Sequence, residues 1–394
     1  MNSMIYLDNQ ATTRLDPLVL EAMLPFLKDD YANASSASHD AGLRAAEAVE
    51  KARCQTARLI GAQPSEVFFT SGATESNNTV LKGLWECRRA ERSHIITQAT
   101  EHSSVLAAAR FLENHGVRLT VLPVDGEGRV NPGDVHSAIT DETFLISIML
   151  ANNEVGTIQP ASEIGRIAKQ AGVFFHADAS QAAGKIPLNV QELQADLLSW
   201  TAHKMYGPKG IGALYVRREK PHVRLQPLLH GGEQERGLRS GTLNVPGIVG
   251  FGKASEIAEA VLEDEQRRVR SLREKLFKGL CERLDFTRLN GHSTHRLPGN
   301  LNLSFAGIEA EAVLDEIRGE IALSASSACS SGSGGASHVL QAMNVPSGYL
   351  HQALRFGIGR FTTAEEIDAV LERLTEVIAR QRKSSPFYPP DAAL

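Results

Sequence analysis

The sequence predicts an α/β fold in which a large domain, built on a mostly parallel seven-stranded sheet, is joined to a smaller α+β domain. Three observations carry that expectation. Between about residues 65 and 216, β-rich runs alternate with amphipathic segments. Past GTLNVPGIVGFG the alternation gives way to one long charged helical pattern. The chain of 394 residues also exceeds the size at which one hydrophobic core stops growing. We assign residues 14–255 to the large domain, and residues 1–13 with 256–394 to the small one.

The seven expected strands are EVFFT (66–70), HIITQ (94–98), RLTVLPV (118–124), FLISIML (144–150), VFFHAD (173–178), DLLSW (196–200) and GALYV (212–216). All are rich in β-branched or aromatic residues, which suit a pleated, buried surface. SSVLAAARFLENHG and ASEIGRIAKQAG repeat apolar residues at helical spacing and supply the crossovers that parallel strands need. In the second half a helix is expected from about 254 to 284, with Val269, Leu272, Leu276 and Leu280 on one face. NLNLSF, a helix around EAEAVLDEI, a Ser/Gly-rich loop at 324–337 and ALRFGIGR follow. The closing helix opens with Thr363 and Glu366 in capping-box spacing and carries Ile367, Val370, Leu371, Leu374, Val377 and Ile378 on its apolar face.

Composition excludes several functions. With 42% apolar and 22% charged residues and a formal net charge of −5, the chain reads as globular, without the basic footprint of a nucleic-acid or membrane-surface binder. No run of eighteen uncharged apolar residues occurs, and MNSMIYLDNQATT does not read as a targeting segment, so the expected location is cytoplasmic. The four cysteines, Cys54, Cys87, Cys281 and Cys329, match neither a disulfide framework nor a metal knuckle, and reduced thiols are expected. Three fall in helical patterns, where cysteine usually behaves as a small buried hydrophobe. Cys329 differs, because SASSACSSGSGGAS holds nothing that could pack it.

Polar residues collect where strands end: SGATESNN after FFT, ATEH after HIITQ, ANNE after ISIML, ASQ after FFHAD, and TAHK after LLSW. In open α/β sheets the ligand crevice lies beyond the carboxyl ends of strands, so these five ends point to one site. Gly72, Ala73 and Thr74 stand at a strand-to-helix turn, where free N–H groups and the helix dipole favour a phosphate. No GxxxxGK[ST] occurs, and GSGG at 332–335 follows no suitable strand, so nucleoside triphosphate and dinucleotide sites are unsupported. Lys204, just after an apolar strand, is placed for the desolvation that leaves an amine able to form a Schiff base; Lys209, in a glycine turn, is expected in solvent. An isolated lysine is most often a surface charge, and an isolated Asp178 most often a cap or ion-pair partner. Together with the Gly72–Thr74 turn they supply the amine, carboxylate and anion cradle that pyridoxal 5′-phosphate requires.

The motifs YLDNQATT, FTSGATESNN, TEH, ANNEVG, HADASQ, TAHKMYGPKGIGALYVRR, RGLRSGT, SSACSSGSGGASHVLQAM and ALRFGIGRFT, in that order over nearly the whole chain, resemble the cysteine desulfurases of the NifS/IscS type. These are pyridoxal-phosphate enzymes of the class-V aminotransferase family, fold type I. The resemblance implies that Lys204 carries the cofactor, Asp178 pairs with its ring nitrogen and Gln181 with its ring hydroxyl. Ala73, Thr74, Thr201 and His203 would hold the phosphate, with Thr242 from the second subunit of a homodimer. His102 would stack on the ring and move protons, and would accept the proton of the Cys329 thiol. Asn153 would face cofactor and substrate, and Arg355, helped by Asn33, would grip the carboxylate of L-cysteine.

By the same resemblance Cys329 takes the sulfur as a persulfide, releases alanine, and passes the sulfur to an acceptor protein such as an iron–sulfur scaffold, or to another thio-modification pathway. A Ser/Gly loop of about twelve residues spans roughly 20 Å, enough to visit a buried cofactor and then an outside acceptor. Gln10, Ala32, Ala34 and Glu233 depart from the usual family pattern where substrate or partner contacts are expected, and Thr201 stands in place of serine. The nearest rival activity is a selenocysteine lyase. A rival of another class is a non-catalytic docking scaffold for sulfur-transfer partners, which would not depend on Lys204 or Cys329.

Overall fold

The computed structural model describes residues 4–88, 91–219, 222–325, 336–386 and 388. All seven expected strands form, within a few residues of the predicted bounds, and they make one sheet. Its order is Val67–Thr70, Gly212–Val216, Leu197–Thr201, Phe174–Asp178, Thr143–Ser147, His94–Gln98 and Arg118–Leu122. Gly212–Val216 runs antiparallel to both neighbours, and every other pairing is parallel. Six of these strands run in a common direction, so their polar ends are delivered to one edge.

The second half makes a four-stranded antiparallel sheet ordered Ser324–Ala325, Ala353–Gly357, Asn300–Phe305 and Thr287–Leu289. Ile5–Tyr6 from the N-terminus pairs in parallel with Ile321–Ala322 beside it. A separate core holds Val269, Leu272, Leu276 and Leu280 against the closing helix Ala364–Ser384, whose Thr363–Glu366 capping box forms as read.

The long helix begins at Val245, well before the expected start, and runs to Arg283. Residue 255 therefore lies inside a continuous helix, whose first turns pack in the core of the large sheet and whose later turns pack in the second core. Its early glycines hid it from a periodicity reading, because they lower helix propensity. Their reason is packing: a Cβ on Gly252 would stand 2.5 Å from Ala52 Cα in the helix Asp40–Arg58.

Cys54, Cys87 and Cys281 are on helices, as expected, but Cys54 and Cys281 are exposed and Cys87 is half-buried. The helical pattern was right and the face was wrong. Asp40–Arg58 buries Ala45, Val49, Ala52, Thr56 and Ala57, and Cys54 falls outside that stripe. Among the described residues no helix is long and apolar enough to cross a membrane, and no group of three or more His, Cys, Asp or Glu could hold a metal ion.

Candidate active site

A cavity of about 510 Å³ opens at the carboxyl edge of the large sheet. Ala73, Thr74, His102, Asn153, Asp178, Gln181, Thr201, His203 and Lys204 all line it, as do Thr12, Ser104, Met149, Ser180 and the exposed Lys209.

The anion cradle follows from the Thr70–Thr74 turn. Thr70 Oγ1 lies 2.8 Å from Ser76 Oγ, which also donates to the Ala213 carbonyl, pinning the turn to the neighbouring strand. The helix Ala73–Cys87 starts there with no side chain capping it, so its first-turn N–H groups face the cavity edge unclaimed by a cap. Gly212 makes this possible, since a Cβ there would stand 2.6 Å from Gly72 Cα.

Lys204 ends the short helical turn Ala202–Lys204 that follows the strand Leu197–Thr201. The N-terminal ATT braces this turn. Thr13 Oγ1 donates to the His203 carbonyl at 2.9 Å and accepts from Tyr206 N at 2.8 Å, and Thr12 Oγ1 lies 3.1 Å from His203 Nδ1. Burial lowers the His203 pKa to about 4, helped by Lys204, Lys209 and Lys185, so its ring is neutral at pH 7. Thr201 directs its hydroxyl proton to the Ile211 carbonyl at 3.1 Å, which occupies the donor expected to serve a phosphate.

Asp178, at the end of its strand, is buried and accepts three hydrogen bonds: from Asn77 Nδ2 at 2.8 Å, from Ser180 N at 2.9 Å and from Ser180 Oγ at 2.5 Å. The second hydrogen of Asn77 Nδ2 goes to Ser104 Oγ at 2.9 Å, and Ser104 Oγ lies 2.8 Å from His102 Nδ1. His102 is also the N-cap of the helix Ser103–Glu113, its Nδ1 accepting from Ser104 N at 3.1 Å. A backbone N–H can only donate, so Nδ1 is bare and the neutral ring carries its proton on Nε2. Burial depresses the His102 pKa, opposed by Asp178 and reinforced by Lys204. In this state the ring offers a proton from Nε2. It does not offer a lone pair there, so acceptance of a thiol proton requires a tautomer change first.

Neighbouring Glu101 contrasts with Asp178. It is fully buried, with Oε1 accepting from Met149 N at 2.6 Å and Gln98 Nε2 at 3.0 Å, while Oε2 has no partner among the described residues. Burial pushes its pKa up to about 8, so at neutral pH the group is mostly the protonated acid.

Other expected residues lie elsewhere. Arg355, 1% exposed on the strand Ala353–Gly357, does not line the cavity; it donates to the Asn153 carbonyl at 3.2 Å and pairs with Asp8 at 2.8 Å. Asn33 is exposed and its Oδ1 accepts from Ser35 N, and Thr242 is exposed; neither lines the cavity. Cys329 lies outside the described residues, while the described residues on either side of its segment contact neighbours of the cavity-lining Asn153 and His102. Ser324–Ala325 pairs with Leu354 and Arg355, and beyond the segment Ser337 Oγ donates to the buried Glu154 while His338 Nε2 lies 3.1 Å from the Glu101 carbonyl. Gln10 does not face the cavity: its amide donates to the Gly299 carbonyl at 3.2 Å and its carbonyl oxygen meets Gly357, so this departure from the family pattern touches backbone and not substrate.

Asn77, Ser104, Ser180, Asp8 and Lys185 were not singled out from sequence. A buried asparagine and serine in helical runs were the available signal, since both disfavour helix interiors unless a partner holds them.

The pattern of the family described as Aminotransferase class-V matches residues 5–370. A cysteine desulfurase IscS of Anaeromyxobacter sp. (strain Fw109-5) is 51% identical over 384 residues, covering 98% of this chain and 95% of that protein. The chain belongs to the cysteine desulfurases of the class-V aminotransferase family. Among solved structures, a NifS-like protein superposes with a TM-score of 0.90 at 40% identity, covering 96% of this chain and 100% of the other. SspA in complex with cysteine superposes with a TM-score of 0.79 at 36% identity, covering 91% of this desulfurase and 100% of SspA. The fold expected from the strand alternation is thus the family's own, and the family is generally pyridoxal-phosphate dependent.

Proposed function

We propose that the cavity holds pyridoxal 5′-phosphate and that the chain uses it to move sulfur from L-cysteine to Cys329, releasing L-alanine. One observation carries this reading: a single cavity gathers Lys204, Asp178, Gln181 and His102 beside an uncapped helix start. That donor set fits the cofactor, with an amine for its aldehyde, a carboxylate held by three donors for its ring nitrogen, and backbone N–H groups for its phosphate. Bound there, the cofactor supplies an electron sink for the pair left on carbon when the C–S bond breaks.

The chain's own residues do the rest. Arg355, which lies behind the cavity-lining Asn153, takes the substrate carboxylate with Asn153 and with Asn33, which stands outside the cavity in the free chain; Asp8 pairs with Arg355 there, so substrate must share or displace that carboxylate. The Cys329 thiolate attacks the substrate sulfur: an S–S bond forms, the C–S bond breaks, and the carbon takes a proton to become the methyl of alanine. His102 Nε2–H is a proton donor for that carbon. Exposed Leu18, Leu20, Leu24, Leu27 and Tyr31, together with exposed Thr242, support coverage by a second copy, with Thr242 reaching the partner's phosphate. We also retain the division into residues 14–255 and residues 1–13 with 256–394, a cytoplasmic location, and an iron–sulfur scaffold or another thio-modification acceptor as the sulfur's destination.

The test is to add pyridoxal 5′-phosphate to the cofactor-free chain and then L-cysteine. The reading predicts a visible absorbance band on loading and one alanine for each sulfur recovered. A chain that stays colourless and makes no alanine overturns it, and turnover with selenocysteine alone would make it a selenocysteine lyase.

A further inference from the structure

Lys185 is a half-buried lysine that the reaction as described does not use. It follows the ASQ turn beyond the strand Phe174–Asp178, and its Nζ donates to Gln181 Oε1 at 2.9 Å. On the other side of the same amide, Gln181 Nε2 donates to the Gln10 carbonyl at 2.9 Å. Gln181 itself is 3% exposed and lines the cavity.

An amide can be held in either of two orientations, and its neighbours decide which. Here the Lys185 amino group donates to Oε1, and a backbone carbonyl, which only accepts, faces Nε2. Reversing the amide would set its oxygen against the Gln10 carbonyl oxygen and its N–H groups against the Lys185 N–H donors, and the first clash holds whatever the charge of Lys185. One hydrogen of Nε2 is spent on Gln10, and the other remains for the cavity. An ionised ring hydroxyl accepts an N–H and is repelled by a carbonyl, so this orientation determines whether Gln181 helps or opposes the bound ring.

We propose that Lys185 is a positioning residue that, by holding Gln181 Oε1, commits the Gln181 amide to present its N–H to the ring oxygen of bound pyridoxal. This rests on the cavity being the pyridoxal-phosphate site. The second lysine also lies in the field of the first: burial lowers its pKa to about 7, Lys204 and Arg355 push the same way, and Glu265 opposes them. The charged and titratable groups facing it are Lys204, Glu265, Arg355 and His203, and all are kept in every variant below.

The experiment loads wild type, Lys185→Met and Lys185→Arg with pyridoxal 5′-phosphate and follows the visible absorbance against pH. A committed N–H stabilises the ionised ring oxygen and so holds down the proton affinity of the adjoining group. Lys185→Met is expected to raise the absorbance midpoint by about one unit, a tenfold change in proton affinity, and to weaken cofactor loading. Lys185→Arg, which keeps a donor and a charge, is expected to restore the wild-type midpoint. In a Gln181→Ala background the methionine effect should vanish, because Lys185 acts through that amide. Gln181→Glu makes the same test with Lys185 intact, since a carboxylate satisfies the ammonium yet presents oxygen to the ring, and its midpoint must also rise.

A wild-type midpoint in either Lys185→Met or Gln181→Glu overturns the proposal, as does a full shift that survives in the Gln181→Ala background. If wild type itself gives no visible band, the cofactor reading fails and takes this inference with it. A coloured wild type with unmoved variants sinks the inference alone.

Discussion

The cavity wall on the large sheet and the small-sheet wall beside the cavity are built in different ways. On the large-sheet wall, each group stands within a few residues of a strand end: Asp178 ends its strand, Lys204 comes three residues after Thr201, and the Gly72–Thr74 turn begins two residues after Thr70. On the small-sheet wall, Arg355 meets Asp8 and Asn153, 347 and 202 positions away along the chain. The first wall is local chain order delivered by a parallel sheet. The second joins the two ends of the chain, where Ile5–Tyr6 pairs with Ile321–Ala322 and Asp8 bridges to Gly357. If this contrast is correct, damage to the first wall should abolish chemistry, and damage to the second should weaken substrate binding.

The largest effect is expected from Lys204→Ala. Loss of the amine should remove the visible absorbance and lower alanine production by about three orders of magnitude or more, read by spectroscopy and single-turnover kinetics on the same sample. Retained colour and activity would mean that the first wall is not where the chemistry is done.

Next is Arg355→Lys, which keeps the charge but loses the planar fork shared between Asp8 and the Asn153 carbonyl. KM for L-cysteine should rise roughly ten- to a hundredfold with kcat changed much less and the absorbance band intact. A fall in kcat at unchanged KM would erase the distinction between the walls.

A separate effect, read in stability, concerns Glu101, the buried carboxyl next to His102. The Glu101 pKa is raised to about 8 from 4.5. The native chain therefore holds a proton that the unfolded chain gives up above pH 4.5. That contribution is fully present below pH 4.5 and is lost as pH rises to about 8, with a slope of up to about 1.4 kcal/mol per pH unit. Glu101→Gln should remove this fall, so urea unfolding at pH 5 and pH 8 should show the variant gaining on wild type at the higher pH. Parallel curves would mean that Glu101 is ionised in the folded chain.

The same contrast explains what was readable in the sequence. All seven strands are β-rich runs, and the nine expected residues that line the cavity fall at the polar ends of five of them, a signal local enough to survive in one dimension. The family resemblance added roles for them. The Asp8–Arg355 pair, the Asn77–Ser104–His102 chain and the Lys185–Gln181 contact depend on which distant segments touch, and no spacing encodes that. Cys54 and Cys281 show the related failure for faces: their helices were legible, while which side the core would cover depended on packing partners met only in the fold. Gln10 shows it for a departure from pattern, since only the folded contacts with Gly299 and Gly357 turn its side chain away from substrate.

The most direct test of the whole account is to incubate the cofactor-loaded chain with L-cysteine and map the added sulfur by intact mass and peptide mass. Cys54 and Cys281 are exposed and serve as internal controls. The account predicts one extra sulfur on the peptide containing Cys329, absent in Cys329→Ser while the visible absorbance remains. Sulfur appearing on Cys54 or Cys281 instead, or undiminished transfer in Cys329→Ser, would contradict it.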